Sequence, residues 1–186
     1  MALTLLIINI AVPSRELINT TSDLWVSLRD LLPDLFAFLL SFGIILITWV
    51  NHHAALKLVN KSSAPFIYAN GFLLLTIVFI PFATALLGKY VNTDQAVPAV
   101  VLYTAVDAVQ AVAWICLTRA ALRPNPLTKN EKATMAMRRN HRSGYFAFAV
   151  YTVSAIVAFW FPLPVALLIS VMWVGWLIYG INIKSE

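Results

Sequence analysis

LFAFLLSFGIILITWVNHHAALK, residues 35–57, decides how this chain folds. From Leu35 to Val50 the apolar run is broken only by Ser41, Gly43 and Thr48. As a helix rising 1.5 Å per residue, the run with its flanking turns crosses a hydrocarbon layer of about 30 Å. Charge returns only at Lys57. Asn51, His52 and His53 therefore stand in the last turns of a spanning helix, near a membrane boundary. Polar groups at that depth are costly unless paired, so they call for partners from other helices, water or headgroups.

Composition extends this reading to the whole chain. Its 186 residues are 61% hydrophobic and 11% charged, with a mean hydropathy of +0.82. Soluble domains carry about 25% charged residues. The fold class is an all-α polytopic membrane helix bundle, one transmembrane domain over residues 1–186. Net charge is +5. The basic residues fall in loops, the usual membrane pattern, so lipid is the expected partner and nucleic acid is not. Cys116 is the only cysteine, which excludes an intrachain disulfide.

In chain order, residues 2–12 form an apolar run of about 17 Å if helical, too short for a full crossing. This segment reads as a truncated first span: a half helix, an interfacial segment, or the C-terminal half of a crossing. Pro13 ends it. Residues 14–34 are polar, and Thr21-Ser22-Asp23 is expected to cap a short helix whose Trp25 and Leu28 meet the interface. Further spans are expected at 33–57, 66–87, 97–117, 145–161 and 165–181. Asn60-Lys61-Ser62-Ser63 makes the turn before Pro65 opens the third span, and Pro81 interrupts its backbone bonding. Residues 119–143 read as a cytoplasmic basic loop, and Pro162-Leu163-Pro164 as a tight turn. Six alternating crossings put ten of the thirteen basic residues on one side, Lys57, Lys61, Arg119, Arg123, Lys129, Lys132, Arg138, Arg139, Arg142 and Lys184. The positive-inside rule then places both termini in the cytoplasm, in the cell's inner (plasma) membrane.

The candidate chemistry is sparse. His52 and His53 point about 100° apart on a helix and have no further ligand at a useful spacing, so no metal or cofactor is expected. One histidine faces the bundle and bonds another helix; the other meets the headgroup boundary. Asp107 and Gln110 lie three apart, hence on one face within a span. A lipid-facing aspartate is expensive, so this pair faces protein or water. Asn70 sits near the start of the third span. Trp173, Trp176 and Tyr179 repeat at intervals of three and read as a packing stripe with an interface belt, a ligand box being the lesser reading. Glycine-rich phosphate loops, paired carboxylates and a serine nucleophile with its base are all missing from the sequence, which argues against an enzyme.

SFGIILITWVNHHAALK (41–57) resembles the second-helix signature of the prokaryotic TMEM175-like potassium channel family. NGFLLLTIVFIPFATALLGKY (70–90) is similar to the family's third helix, and ALTLLIINIAVP (2–13) to the end of its first. The resemblance implies six helices per subunit and a homotetramer around one central pore lined by the first helix, passing potassium ions passively. Thr4, Leu5 and Leu6 match the family's Thr-Leu-Leu stretch, so the resemblance implies an apolar constriction. Helical spacing joins Leu5, Ile8 and Val12 on one face, and Leu6, Asn9 and Ile10 less neatly on another. Trp49, Asn51, His52, His53, Asn70, Asp107 and Gln110 are the candidates for an interhelical polar network, and the likeness implies that Asn51, His52 and His53 match part of the partner side of the family's packing hub. The family's arginine and Phe-Ser-Asp triplet are absent before Thr4. The expectation is a start lying upstream, and poor conduction by the 186-residue form. On the residues alone two other classes stay open: a secondary transporter, hinted at by Asp107 and Gln110, and a non-conducting membrane scaffold.

Overall fold

Apolar runs that must bond their own backbone in lipid fold as helices, and these helices then set the architecture. The computed structural model describes residues 12–14 and 18–183, apart from the side chains at 33, 34, 36, 37 and 179–183. Among them lie six helices: α1 Thr21–Asp30, α2 Leu32–Lys57, α3 Ala64–Tyr90, α4 Ala96–Ala121, α5 Glu131–Val157 and α6 Pro162–Ile183. Three stretches, Phe38–Lys57, Ala64–Tyr90 and Ala96–Ala121, are long and apolar enough to cross a membrane; the apolar part of α6, Pro162–Ile178, is shorter. The chain is an all-α polytopic membrane bundle.

The helix ends follow local chemistry. Thr20, one residue before the expected cap, begins α1. Its hydroxyl accepts from the Asp23 amide at 3.2 Å, and the Asp23 carboxylate accepts from the Thr20 amide at 2.8 Å. This reciprocal box satisfies two otherwise orphaned donors, and the donors from Thr20 hold the Asp23 carboxyl below its ordinary range. Ser63 precedes α3, with Pro65 in its first turn. Pro81 lies inside α3, where it leaves the Ile77 carbonyl without its usual amide donor.

Two expected boundaries move. The 119–143 stretch is not all loop. Arg119 lies in the last turn of α4, which runs to Ala121, and α5 starts at Glu131 under an Asn130 cap that accepts from the Ala133 amide at 2.8 Å. The basic half of α5 is an extension of the helix whose later half, 145–157, is apolar; propensity and capping continue a helix across a polarity change that hydropathy reads as its end. Likewise Pro162 opens α6, and the chain turns at 158–161 instead. Proline suits a first helical turn because its missing N–H would be unpaired there anyway.

α4 is the central helix, packed against α3, α5 and α6, while α6 also lies on α2. Its buried residues include Ala96, Ala99, Ala108, Ala111, Ala113, Ala120 and Ala121. Small side chains let neighbouring backbones approach, the main route to tight helix packing in lipid. At one such place a Cβ on Gly144 would come within 3.0 Å of Ile115 Cγ1. The loops after α2 and α4 meet at the same end of the bundle. The Asn60 amide donates to the Leu127 carbonyl at 3.0 Å and the Lys129 amide to the Leu58 carbonyl at 2.9 Å, an antiparallel clasp at Val59 and Thr128. Lys57, Lys61, Arg123 and Lys129 thus share one end, as the alternation of spans requires.

Candidate functional site: a polar cavity inside the bundle

The end of α2 distributes its polar residues over three directions. His52 is buried and its Nε2 lies 2.6 Å from Asn70 Oδ1 on α3. The short contact makes that nitrogen the protonated donor, since the amide oxygen only accepts. Trp114 of α4 meets the same imidazole edge-on, at 6.3 Å between ring centres. His53, one residue on, is exposed and stacks on exposed Trp49 at 5.3 Å and 11°. Asn51 points a third way, its Nδ2 donating to the Trp176 carbonyl of α6 at 3.4 Å.

Asn51 leads into a cavity of about 80 Å³ lined by α2, α4, α5 and α6. It exists because α5 and α6, though consecutive, barely touch. Two aromatic side chains bridge the gap instead: the Trp176 indole N–H donates to the Tyr151 hydroxyl at 3.0 Å. Asp107 and Gln110 face this space and are 2% and 5% exposed. Asp107 Oδ2, Gln110 Nε2 and Asn51 Oδ1 are buried without a hydrogen-bond partner among the described residues. Groups in that condition cost about 1–3 kcal/mol each, more when charged, unless something fills the space beside them.

Of the residues singled out in the sequence, Asn51, Asp107 and Gln110 come together here. His52 and Asn70 pair beside it, and Trp49 and His53 stand outside. Val12 lies outside any helix and is 88% exposed. Leu5 and Ile8 lie outside the described residues. Among the described residues no group of three or more metal-ligating side chains occurs. Sequence reasoning missed Thr48, Trp114 and Tyr151 as neighbours of this cavity. A stripe at intervals of three and four through Asp107, Gln110, Ala111 and Trp114 was available as a signal.

The match to known proteins runs along this bundle. A family model described as the endosomal/lysosomal potassium channel TMEM175 matches residues 1–81. A potassium channel of Chamaesiphon minutus is 33% identical over 174 residues, covering 91% of this chain and 85% of that protein. The chain belongs to the TMEM175 potassium channel family. A potassium channel of Streptomyces collinus is 33% identical over 123 residues, 63% of this chain and 58% of its own. The crystal structure of a homologue, from Chamaesiphon minutus, of the lysosomal potassium-selective channel TMEM175 superposes with a TM-score of 0.76, at 30% identity, over 96% of this chain and 90% of that one. A TMEM175 family member is a channel protein and not an enzyme. The plasma-membrane expectation needs correction. The matching family is described as endosomal/lysosomal, and the solved structure as a homologue of the lysosomal channel TMEM175; neither is described as a plasma-membrane protein. Positive-inside statistics orient a chain relative to its membrane but carry no address for that membrane.

Proposed function

We propose that this TMEM175 family chain is the subunit of a potassium-permeable channel. Four copies surround a central pore, and residues 2–12 of each line it. The superposition on a homologue of the potassium-selective channel TMEM175 over nearly the whole chain is the observation that carries the reading. Leu5, Ile8 and Val12 then supply the apolar constriction. A closed ring of such side chains excludes water and presents an ion with a large desolvation cost. An open ring passes the ion with part of its hydration shell. Selectivity on this reading does not rest on a backbone-carbonyl filter. The polar pairs around His52 and Asn70 fix α2 against α3 and so hold the scaffold behind the pore.

Potassium flux into liposomes tests the proposal. The 186-residue chain is compared, at equal incorporation, with a form extended upstream by an arginine and Phe-Ser-Asp segment. Potassium-selective flux from either form supports the channel, and its loss on Leu5→Asp or Ile8→Asp assigns the constriction. Silence from both forms, folded and tetrameric, overturns it. A second reading, ion-coupled transport, is favoured by buried Asp107 facing a cavity deep in the bundle. Asp107→Asn separates the two: a passive pore keeps its flux, whereas a coupled carrier loses it with the fold intact.

A further inference from the structure

The cavity beside Asp107 is not accounted for by a pore along residues 2–12. It lies within one subunit's helices, and its polar atoms are arranged in a particular way. The Asp107 carboxylate lines it, 2% exposed and with an unpartnered oxygen among the described residues. Beside it in the lining are Asn51, whose carbonyl oxygen is unpartnered, and Gln110 and Trp173, whose Nε2 and Nε1 donors are unpartnered among the described residues. The walls are aromatic, from Trp114 of α4, Tyr151 of α5, and Trp173 and Trp176 of α6. Aspartate within a span needs a partner, and among the described residues no arginine or lysine lines this space. Aromatic faces attract a cation, most strongly once it leaves water. One buried carboxylate, the Asn51 amide oxygen and aromatic walls form the environment that suits an ammonium group carrying small alkyl substituents. A bare metal cation would need more oxygen ligands than this site offers.

Size narrows the class. A cavity of about 80 Å³ equals the liquid volume of roughly two to three waters. Methylammonium and dimethylammonium are of that bulk; tetrabutylammonium is far larger. A neighbouring groove lined by Arg142, Phe146, Met172 and Gly175 shares Ser143 and Trp176 with the cavity. Arg142 at its rim is exposed and its field is screened by salt, whereas Asp107 is buried.

We infer that each subunit binds one small alkylammonium ion in the cavity between α2, α4, α5 and α6, its charge on Asp107 and its alkyl groups against the tryptophans. The site is separate from ion conduction, so it is read by binding and not by flux. Radiolabelled methylammonium is titrated against the full chain in nanodiscs at constant ionic strength. Saturable binding at one per chain is expected, undisturbed by tetrabutylammonium. Asp107→Asn should weaken it by roughly tenfold or more, the scale set by loss of one charge-assisted contact. Ala147→Leu, which fills the space and keeps the carboxylate, should abolish it, and it carries the test should Asp107→Asn misfold. Absence of saturable binding overturns the inference, because water alone then fills the cavity. Binding unchanged in Ala147→Leu also overturns it, by placing the ion elsewhere. So does displacement by potassium at equal concentration, which would mark a general cation site.

Discussion

The two halves of α4 meet α5 in opposite ways. Toward its C-terminal end, Gly144 sits against Ile115, and Thr118 Oγ1 lies 2.8 Å from His141 Nδ1. Here small residues bring the backbones together and the polar groups find one another. Toward the middle, from Asp107 to Trp114, the same pair of helices opens onto the cavity, and polar atoms stay unpartnered. The difference arises from α6. Where Trp173 and Trp176 reach between α4 and α5, bulk replaces close approach, and aromatic walls leave room that they do not fill. Tight packing holds the bundle; the open level offers chemistry.

Substitution by leucine breaks or sharpens this contrast most strongly. At Gly144 a larger side chain must displace Ile115, with a cost of about 1–3 kcal/mol for overpacking. Ala147→Leu, one turn further on, has the cavity to enter and should cost less. Denaturation midpoints of the two variants in detergent check this; equal losses would show that the two levels are packed alike. The next effect belongs to the buried histidine. His52→Ala removes the partner of Asn70 and should cost about 1–3 kcal/mol. Asn70→Ala should cost a similar amount, and the double variant less than the sum, because the two share one bond. Full additivity would deny the bond.

The smallest effect lies at the tight end and depends on pH. Burial, and then the positive charge of Arg119, hold the His141 imidazole below its ordinary value of 6.5. A lowered histidine favours the neutral ring in the fold. Its contribution to stability is full above 6.5 and is lost as pH falls through the lowered folded value. Thermal midpoints of the wild type should decline on acidification over that window, and His141→Gln should decline less. Parallel declines would show that His141 does not set the pH response.

Much of this was legible in residues 35–57. The apolar run, the return of charge at Lys57 and adjacent histidines pointing apart are local properties, and hydrophobic length sets span limits in lipid. The boundaries of α5 were not legible, because hydropathy registers where a helix leaves the hydrocarbon and not where it stops. Asn130 caps a helix that begins well outside the apolar segment. The pairing of Asp107 with Gln110 on one face could be read from their spacing. Their meeting with Asn51, Tyr151 and Trp176 could not, since it depends on α5 and α6 standing apart although they are consecutive. No periodicity along a single helix encodes that separation.

A potassium-selective pore lined by the first segment is tested most directly by the reversal potential of currents in planar bilayers. Purified protein, as the 186-residue chain and in the upstream-extended form, is reconstituted with potassium on one side and sodium on the other at equal concentration. The predicted reversal potential is displaced toward that of potassium, in currents that disappear with Leu5→Asp or Ile8→Asp. Currents that reverse at zero would contradict selectivity for potassium, and currents that persist unchanged in both variants would contradict the constriction.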